Sequence, residues 1–265
     1  MFGAIYGDLV GSIYEYYEFL SHDKSRMIKA SNEAELLKED SFISDDTILT
    51  IAVLDAIKNN LRYEETIRRY ILDNSAKLNK ENYFEYLFSP NTIKWANGMS
   101  PGNSNGNGAM MRVSPIPFLR ETYISVYNDV IEETQITHNS NEALYAALCI
   151  SNIIFLGQAH YSLKKIKEII DKYFPCDYNY SLDDLRNNMK FNYTCRETLP
   201  ICLYALFNTS NFDDAIRLTL SIGGDTDTNC AIVGSMAESI YGISEDTKSK
   251  ILAYLPEEYK NLLIK

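Results

Sequence analysis

Along this chain apolar residues return at three- and four-residue steps nearly everywhere, the period that places them on one face of an α-helix. Ile48, Ile51, Ala52 and Leu54 form one such series; Ala143, Ala146, Ala147 and Ile150 form another. Leu199, Leu203 and Leu206, then Ala215 with Leu218, then Ile232, Met236 and Ile240 continue the pattern. Strand alternation closed by a tight Asn-Gly turn is missing, since the Asn-Gly steps lie within 97–108 and lack alternating flanks. Helix-start signals precede the periodic runs at Ser140-Asn141-Glu142, Ser181-Leu182-Asp183-Asp184 and Asn211-Phe212-Asp213-Asp214. The pattern predicts an all-α, compact bundle of about a dozen helices, with most of the 20 tyrosines filling helix-packing positions.

The first helix carries a feature that packing alone does not require. Gly3, Gly7 and Gly11 stand at four-residue steps, and Glu15 continues the same stripe. Each glycine inside a helix costs roughly 1 kcal/mol relative to alanine. Three on one face imply that a ligand or another backbone comes very close; a tight helix crossing with Glu15 left in solvent is the simpler form of that reading.

Two acidic clusters open later helical segments: Ser44-Asp45-Asp46-Thr47 and Gly223-Gly224-Asp225-Thr226-Asp227-Thr228. Carboxylates at helix N-termini can be plain caps, favoured by the macrodipole and the free N–H groups. A cap needs one oxygen, however, and both clusters carry surplus acid and flanking hydroxyls. If Glu15, Asp45, Asp46, Asp225 and Asp227 converge, they cannot all stay ionised unaided, because each close pair costs on the order of a few kcal/mol. Divalent cations would resolve the conflict. The donors are all oxygens, with neither His nor Cys in either motif, which selects magnesium, manganese or calcium over zinc or copper. Five carboxylates suffice for two ions, and a binuclear site can orient vicinal hydroxyls and lower the pKa of bound water.

A third stretch runs from Met99 through Ser104-Asn105-Gly106-Asn107-Gly108 to Met111-Arg112. Its glycines permit close backbone approach, its amides and N–H groups could cradle a diphosphate, and Arg112 could partner the charge. The Gly-Lys-Ser/Thr ending of a Walker loop is missing.

Composition narrows the classes. The 265 residues, 46% hydrophobic, can bury a large core, and nothing reads as an interdomain linker, so one domain over 1–265 is expected. A formal charge of -11 with no basic run argues against extended nucleic-acid binding and against a polybasic membrane anchor. The five cysteines include no CxxC pair, as suits a reducing cytoplasm. The Met1 to Asp8 segment lacks the basic region of a signal peptide, and no apolar run is long enough to span a bilayer.

With these stretches in hand, the chain resembles the ADP-ribosylglycohydrolase family, of the dinitrogenase reductase-activating glycohydrolase type. The similarity runs in order: Gly3 to Glu15 is similar to the family's opening helix, Ser44 to Thr47 to its first metal motif, Ser104 to Arg112 to its Gly-Asn-Gly loop, and Gly223 to Thr228 to its second metal motif. The resemblance implies an all-α fold with two magnesium or manganese ions at the base of an ADP-ribose cleft. It makes Ser44, Asp45, Asp46, Asp225, Asp227 and Thr228 the ligands. Cleavage falls at the anomeric carbon of the distal ribose and frees an acceptor, most naturally an arginine side chain. On that resemblance Glu15 would handle proton transfer or position the water, with Asp46 as the competitor for that role. Substrate contacts are implied for Ser104, Gly106, Asn107, Gly108, Met111 and Arg112, for Gly223 and Gly224, for His138 in the Thr137-His138 pair, and for Tyr193. The last is displaced from the family's usual aromatic position. Such an enzyme implies an ADP-ribosylated acceptor, a cognate ADP-ribosyltransferase or toxin, and a monomeric state. A non-catalytic ADP-ribose binder and a metal hydrolase of another ribosyl or nucleotide compound are the alternatives, separable by metal-dependent turnover and by product identity.

Overall fold

The computed structural model of the protein describes the backbone of residues 1–21, 25–75 and 87–264, with side chains outside 16–21. The described residues form helices and no strand; two isolated bridges, Asn103 with His138 and Gly106 with Thr194, are the sole extended pairings among them. In chain order the first helices are α1 (Phe2–Ser21), α2 (Ser25–Ala30), α3 (Asp45–Lys58), α4 (Tyr63–Asn74) and α5 (Pro90–Ala96). Next come α6 (Gly108–Met111), α7 (Pro115–Leu119), α8 (Tyr123–Gln135), α9 (Asn141–Gln158), α10 (Leu163–Tyr173) and α11 (Leu182–Asn188). The chain closes with α12 (Cys195–Phe207), α13 (Phe212–Ile222), α14 (Thr226–Tyr241), α15 (Glu245–Tyr254) and α16 (Glu257–Ile264). The surplus over a dozen comes from one- and two-turn pieces such as α6 and α7.

The expected helix starts are real caps. Ser140 accepts from Ala143 N–H at 3.2 Å, Ser181 from Asp184 N–H at 3.0 Å and Asn211 from Asp214 N–H at 2.8 Å. Each such cap is worth about 1 kcal/mol. Thr194 and Glu197 add a reciprocal capping box at the start of α12.

The core is organised on α14, buried on all sides from Thr226 to Ala237. Its main partner is α1, and the glycine stripe explains how close the two helices lie. A Cβ at Gly3 would stand 2.1 Å from the Gly234 carbonyl oxygen, one at Gly7 2.0 Å from that of Cys230, and one at Gly11 2.3 Å from that of Thr226. No side chain fits at those distances, so the two backbones touch antiparallel. Thr226 Oγ1 fastens the crossing by donating to the Gly11 carbonyl at 2.9 Å. Of the readings open for the stripe, the tight crossing holds, but it does not leave Glu15 in solvent: it carries Glu15 to the first turn of α14, beside Asp225 and Asp227. Around this pair α9, α12 and α13 complete the packing, and one apolar cluster runs from Ile5 to Leu263. Cys149, Cys195, Cys202 and Cys230 are buried free thiols. No described helix is long and apolar enough to cross a membrane.

Candidate active site

Three helix ends meet where the sequence places its surplus acid. Ser44 caps α3 by accepting from Asp46 N–H at 3.1 Å, which puts Asp45 and Asp46 in the first turn. Asp227 lies in the first turn of α14 with Asp225 just before it, and Glu15 comes from α1. One carboxylate oxygen each from Glu15, Asp225 and Asp227 lie within 4.8 Å of one another. Asp46 Oδ2 accepts from Thr228 Oγ1 at 3.1 Å and from Ser44 Oγ at 3.3 Å, so the two motifs touch across the site. All six expected ligands, Ser44, Asp45, Asp46, Asp225, Asp227 and Thr228, line one cleft with Glu15.

Magnitudes decide what this cluster requires. Three ionised carboxylates at that spacing repel by roughly 3 kcal/mol per pair at an effective dielectric of about 20. Together that is comparable to the whole folding free energy of a domain, about 5–15 kcal/mol. The protein alone can relieve this only by taking up protons. Burial first, and neighbouring carboxylates second, hold Glu15, Asp46 and Asp227 well above the ordinary carboxylate range. The same causes push Asp45 up to about 8. Asp225 is raised chiefly by burial, against hydrogen bonds that pull it back.

The donor set also fits divalent cations. Asp46 Oδ1 is buried and has no hydrogen-bond partner among the described residues, an arrangement that costs free energy unless something positive faces it. The expected ligands that share its cleft are all hard oxygen donors, as magnesium or manganese prefers.

Two supporting residues escaped the sequence reading. Asp8 is fully buried in α1, and its Oδ2 accepts from the N–H groups of Ser44 at 3.0 Å and Thr47 at 3.1 Å, and from the Thr47 hydroxyl. It thereby pins the start of α3 to α1, and burial followed by Asp227 pushes its carboxyl up to about 7. An acid among the apolar residues of the first turns of α1, seven positions before Glu15, was the available signal. Asn192 had none. Its Oδ1 accepts from Asp225 N–H at 3.0 Å and from Asn229 Nδ2 at 3.1 Å, while its Nδ2 donates to Asn229 Oδ1 at 2.9 Å.

The loop from Met99 to Arg112 forms another wall of the same cleft, a space of about 1050 Å³, at the upper end for ligand pockets. Ser104, Gly106, Asn107, Gly108, Met111, Arg112, His138 and Tyr193 all line it. Asn107 Nδ2 reaches the acidic cluster, donating to Asp225 Oδ2 at 2.7 Å. The loop is held between two segments: Ser104 N–H donates to the Thr137 carbonyl at 3.1 Å, Asn107 N–H to that of Tyr193 at 2.9 Å, and Cys195 N–H to that of Asn105 at 2.9 Å. Leu87, Phe88 and Trp95 supply apolar lining that the motif reading did not include.

Two expected substrate contacts need correction. Gly223 and Gly224 do not line the cleft; both have positive φ, 83° and 85°, and a Cβ on Gly224 would stand 2.2 Å from Asn192 Oδ1. They shape the turn that delivers Asp225. Arg112 lines the cleft as expected, but two nitrogens of its guanidinium, 2% exposed as a residue, turn away from it: Nε donates to the fully buried Glu133, and Nη2 to Thr137 Oγ1 at 2.6 Å. The N–H groups of Ser104, Gly106 and Asn107 are likewise engaged within the loop and its supports, so they do not form a free anion cradle.

Fold and site together define a class: a helical protein whose cleft joins an acidic, cation-seeking cluster to a glycine- and asparagine-rich loop. The ADP-ribosylglycohydrolase family model matches residues 1–263, and the chain belongs to that family, whose members are hydrolases acting on glycosyl bonds. The chain is 22% identical over 272 residues to the ADP-ribosylarginine hydrolase Tri1 of Serratia proteamaculans (strain 568), covering 93% of this chain and 71% of that protein. It is 23% identical over 163 residues to the Tri1 of Pseudomonas putida (strain GB-1); that match covers 57% of this chain and only 42% of the relative's length. To the ADP-ribosylhydrolase ARH3 of Mus musculus it is 23% identical over 315 residues, covering 93% and 84%. A solved structure described as an ADP-ribosylglycohydrolase-related protein complex shares the fold, with a TM-score of 0.65 at 18% identity over 98% of this chain and 94% of that one.

Proposed function

We propose that this chain is a divalent-cation-dependent ADP-ribosylhydrolase, a single-domain cytoplasmic monomer that cleaves the bond between the distal ribose of ADP-ribose and an arginine side chain. The convergence of Glu15, Asp225 and Asp227 beside the unpartnered Asp46 Oδ1 carries the reading, because it demands positive charge at the floor of a nucleotide-sized cleft. The arginine linkage is supported by the names of the Tri1 relatives. Ser44, Asp45, Asp46, Asp225, Asp227 and Thr228 would hold two ions, magnesium by preference or manganese. When bound, they supply Lewis acidity for the ribose hydroxyls and for water.

The remaining chemistry belongs to the chain. As the glycosidic bond lengthens, positive character gathers at the anomeric carbon, and fixed carboxylates stabilise it. Glu15 is the proton-transfer group: it is half-buried, in the cleft, and its carboxyl is raised well above the usual range by burial and by the neighbouring carboxylates. Asp46, shared between the two motifs, is the competitor for this role. Asn107 and Asn192 fix Asp225, and Asp8 fixes Asp45 and Asp46, so the acids are held in place before substrate arrives.

The test is incubation of an ADP-ribosylated arginine peptide with the protein, with and without magnesium. Free ADP-ribose and intact arginine are expected with magnesium alone. AMP as the product would move the cleavage to the diphosphate and overturn the assignment.

A further inference from the structure

A buried chain of polar groups runs behind the Gly-Asn-Gly loop with no part in the acidic cluster. Glu133, fully buried in α8, accepts from Arg112 Nε. Arg112 Nη2 donates to Thr137 Oγ1 at 2.6 Å, and Thr137 Oγ1 lies 2.7 Å from His138 Nδ1. A guanidinium only donates, so Thr137 Oγ1 is the acceptor in that contact and keeps its own proton to give. His138 Nδ1 is the neighbour placed to accept that proton, an arrangement that favours the imidazole proton on Nε2. The Nε2 edge faces the loop glycines: a Cβ at Gly108 would lie 3.3 Å from both Cε1 and Nε2, and one at Gly106 3.6 Å from Nε2. Burial, then the Arg112 charge, brings His138 down to about 3, so the ring stays neutral. A neutral ring with an unfixed proton would present the cleft with an acceptor for part of the time; an Nε2–H ring presents a donor throughout.

We propose that Glu133, Arg112 and Thr137 are positioning residues that lock His138 in its Nε2–H tautomer, making it a fixed neutral hydrogen-bond donor to a diphosphate oxygen at the Gly106–Gly108 loop. The ligand half of this inference rests on the functional reading above; the tautomer half does not. Arg112 thus serves an anionic ligand through His138, its own charge being committed to Glu133.

The test combines two readouts on the full chain with magnesium present. Long-range proton–nitrogen NMR of histidine-labelled protein, with the His138 signals identified by their loss in His138→Asn, reads the tautomer; calorimetry reads ADP-ribose affinity. The wild type is expected to show a pyridine-type Nδ1 and a pyrrole-type Nε2. Thr137→Val should mix the tautomers and weaken ADP-ribose binding by the fraction of donor tautomer lost, about twofold if the two become equal. Thr137→Ser, which keeps the hydroxyl, should restore both. A wild-type Nδ1–H tautomer overturns the proposal, as does unchanged affinity in Thr137→Val or failure of the serine variant to rescue. If the valine variant does not fold, the wild-type tautomer and the serine variant decide. A wild-type chain with the Nε2–H tautomer that binds no ADP-ribose overturns the functional reading, and with it the diphosphate assigned here.

Discussion

The acidic cluster and the loop wall line the same cleft yet solve opposite electrostatic problems. Around Glu15, Asp225 and Asp227 charge is in excess, and Asp46 Oδ1 is buried without a donor. Behind the loop, by contrast, the charge of the buried Arg112 is matched by Glu133, and its Nη2 is met by Thr137. The first region is built to be completed by something positive; the second is complete in itself and rigid. On the proposed function such a cleft would separate chemistry from recognition: the unfinished part would carry the reaction, and the finished part would set where the ligand lies.

The contrast predicts where substitutions hurt most. Removing acid from the unfinished region should abolish chemistry while sparing the fold: Asp227→Ala and Glu15→Gln are each expected to lower ADP-ribose release by about a thousandfold. Release assays at saturating magnesium, with thermal melts alongside, check both halves; full activity in both variants breaks the site assignment. The finished region should respond in the other currency. Arg112→Met leaves Glu133 buried and unpaired and should cost about 3–5 kcal/mol of stability, most of which the double variant with Glu133→Leu recovers. Urea titrations of the two variants measure this.

A third prediction concerns proton and cation linkage. Carboxyls raised in the folded state, Asp8 to about 7 and Asp45 to about 8, bind protons that the unfolded chain, with carboxylates near 4, has already released. In chelator-treated protein their contribution is therefore full at pH below about 4 and is lost as pH climbs toward 8. Magnesium at about a hundred times its dissociation constant should restore roughly 2.7 kcal/mol and flatten the pH dependence. Melts across pH with chelator and with magnesium provide the comparison; a chelated protein that gains stability from pH 5 to pH 8 contradicts it. The smallest effect belongs to Tyr193, 63% exposed at the cleft rim. If it stacks on adenine, Tyr193→Ala should raise KM about tenfold with kcat unchanged, in steady-state assays.

Much of this was legible in the chain because it lies in local pattern. Helical periodicity, three caps and the two acidic motifs are each written in a few adjacent residues, and the structure brings the motifs together. The glycine stripe predicted a close approach but not its partner, since the matching surface at Gly234, Cys230 and Thr226 lies more than two hundred residues on. Residues that act by long-range hydrogen bonds were invisible for the same reason. Asn192 is an ordinary asparagine until Asp225 and Asn229 surround it, and Arg112 looked like a free cation because Glu133 sits on another helix. Gly223 and Gly224 were legible as special glycines, but whether they served ligand or backbone depended on φ and on the Asn192 contact.

The central claim is that the acidic cluster works only when cations complete it. Release of ADP-ribose from an ADP-ribosylated arginine peptide, followed while magnesium is removed by chelator and then returned, tests it most directly. The account predicts that release stops on chelation and resumes on readdition, with intact arginine as the second product; release that continues undiminished in chelator would contradict it.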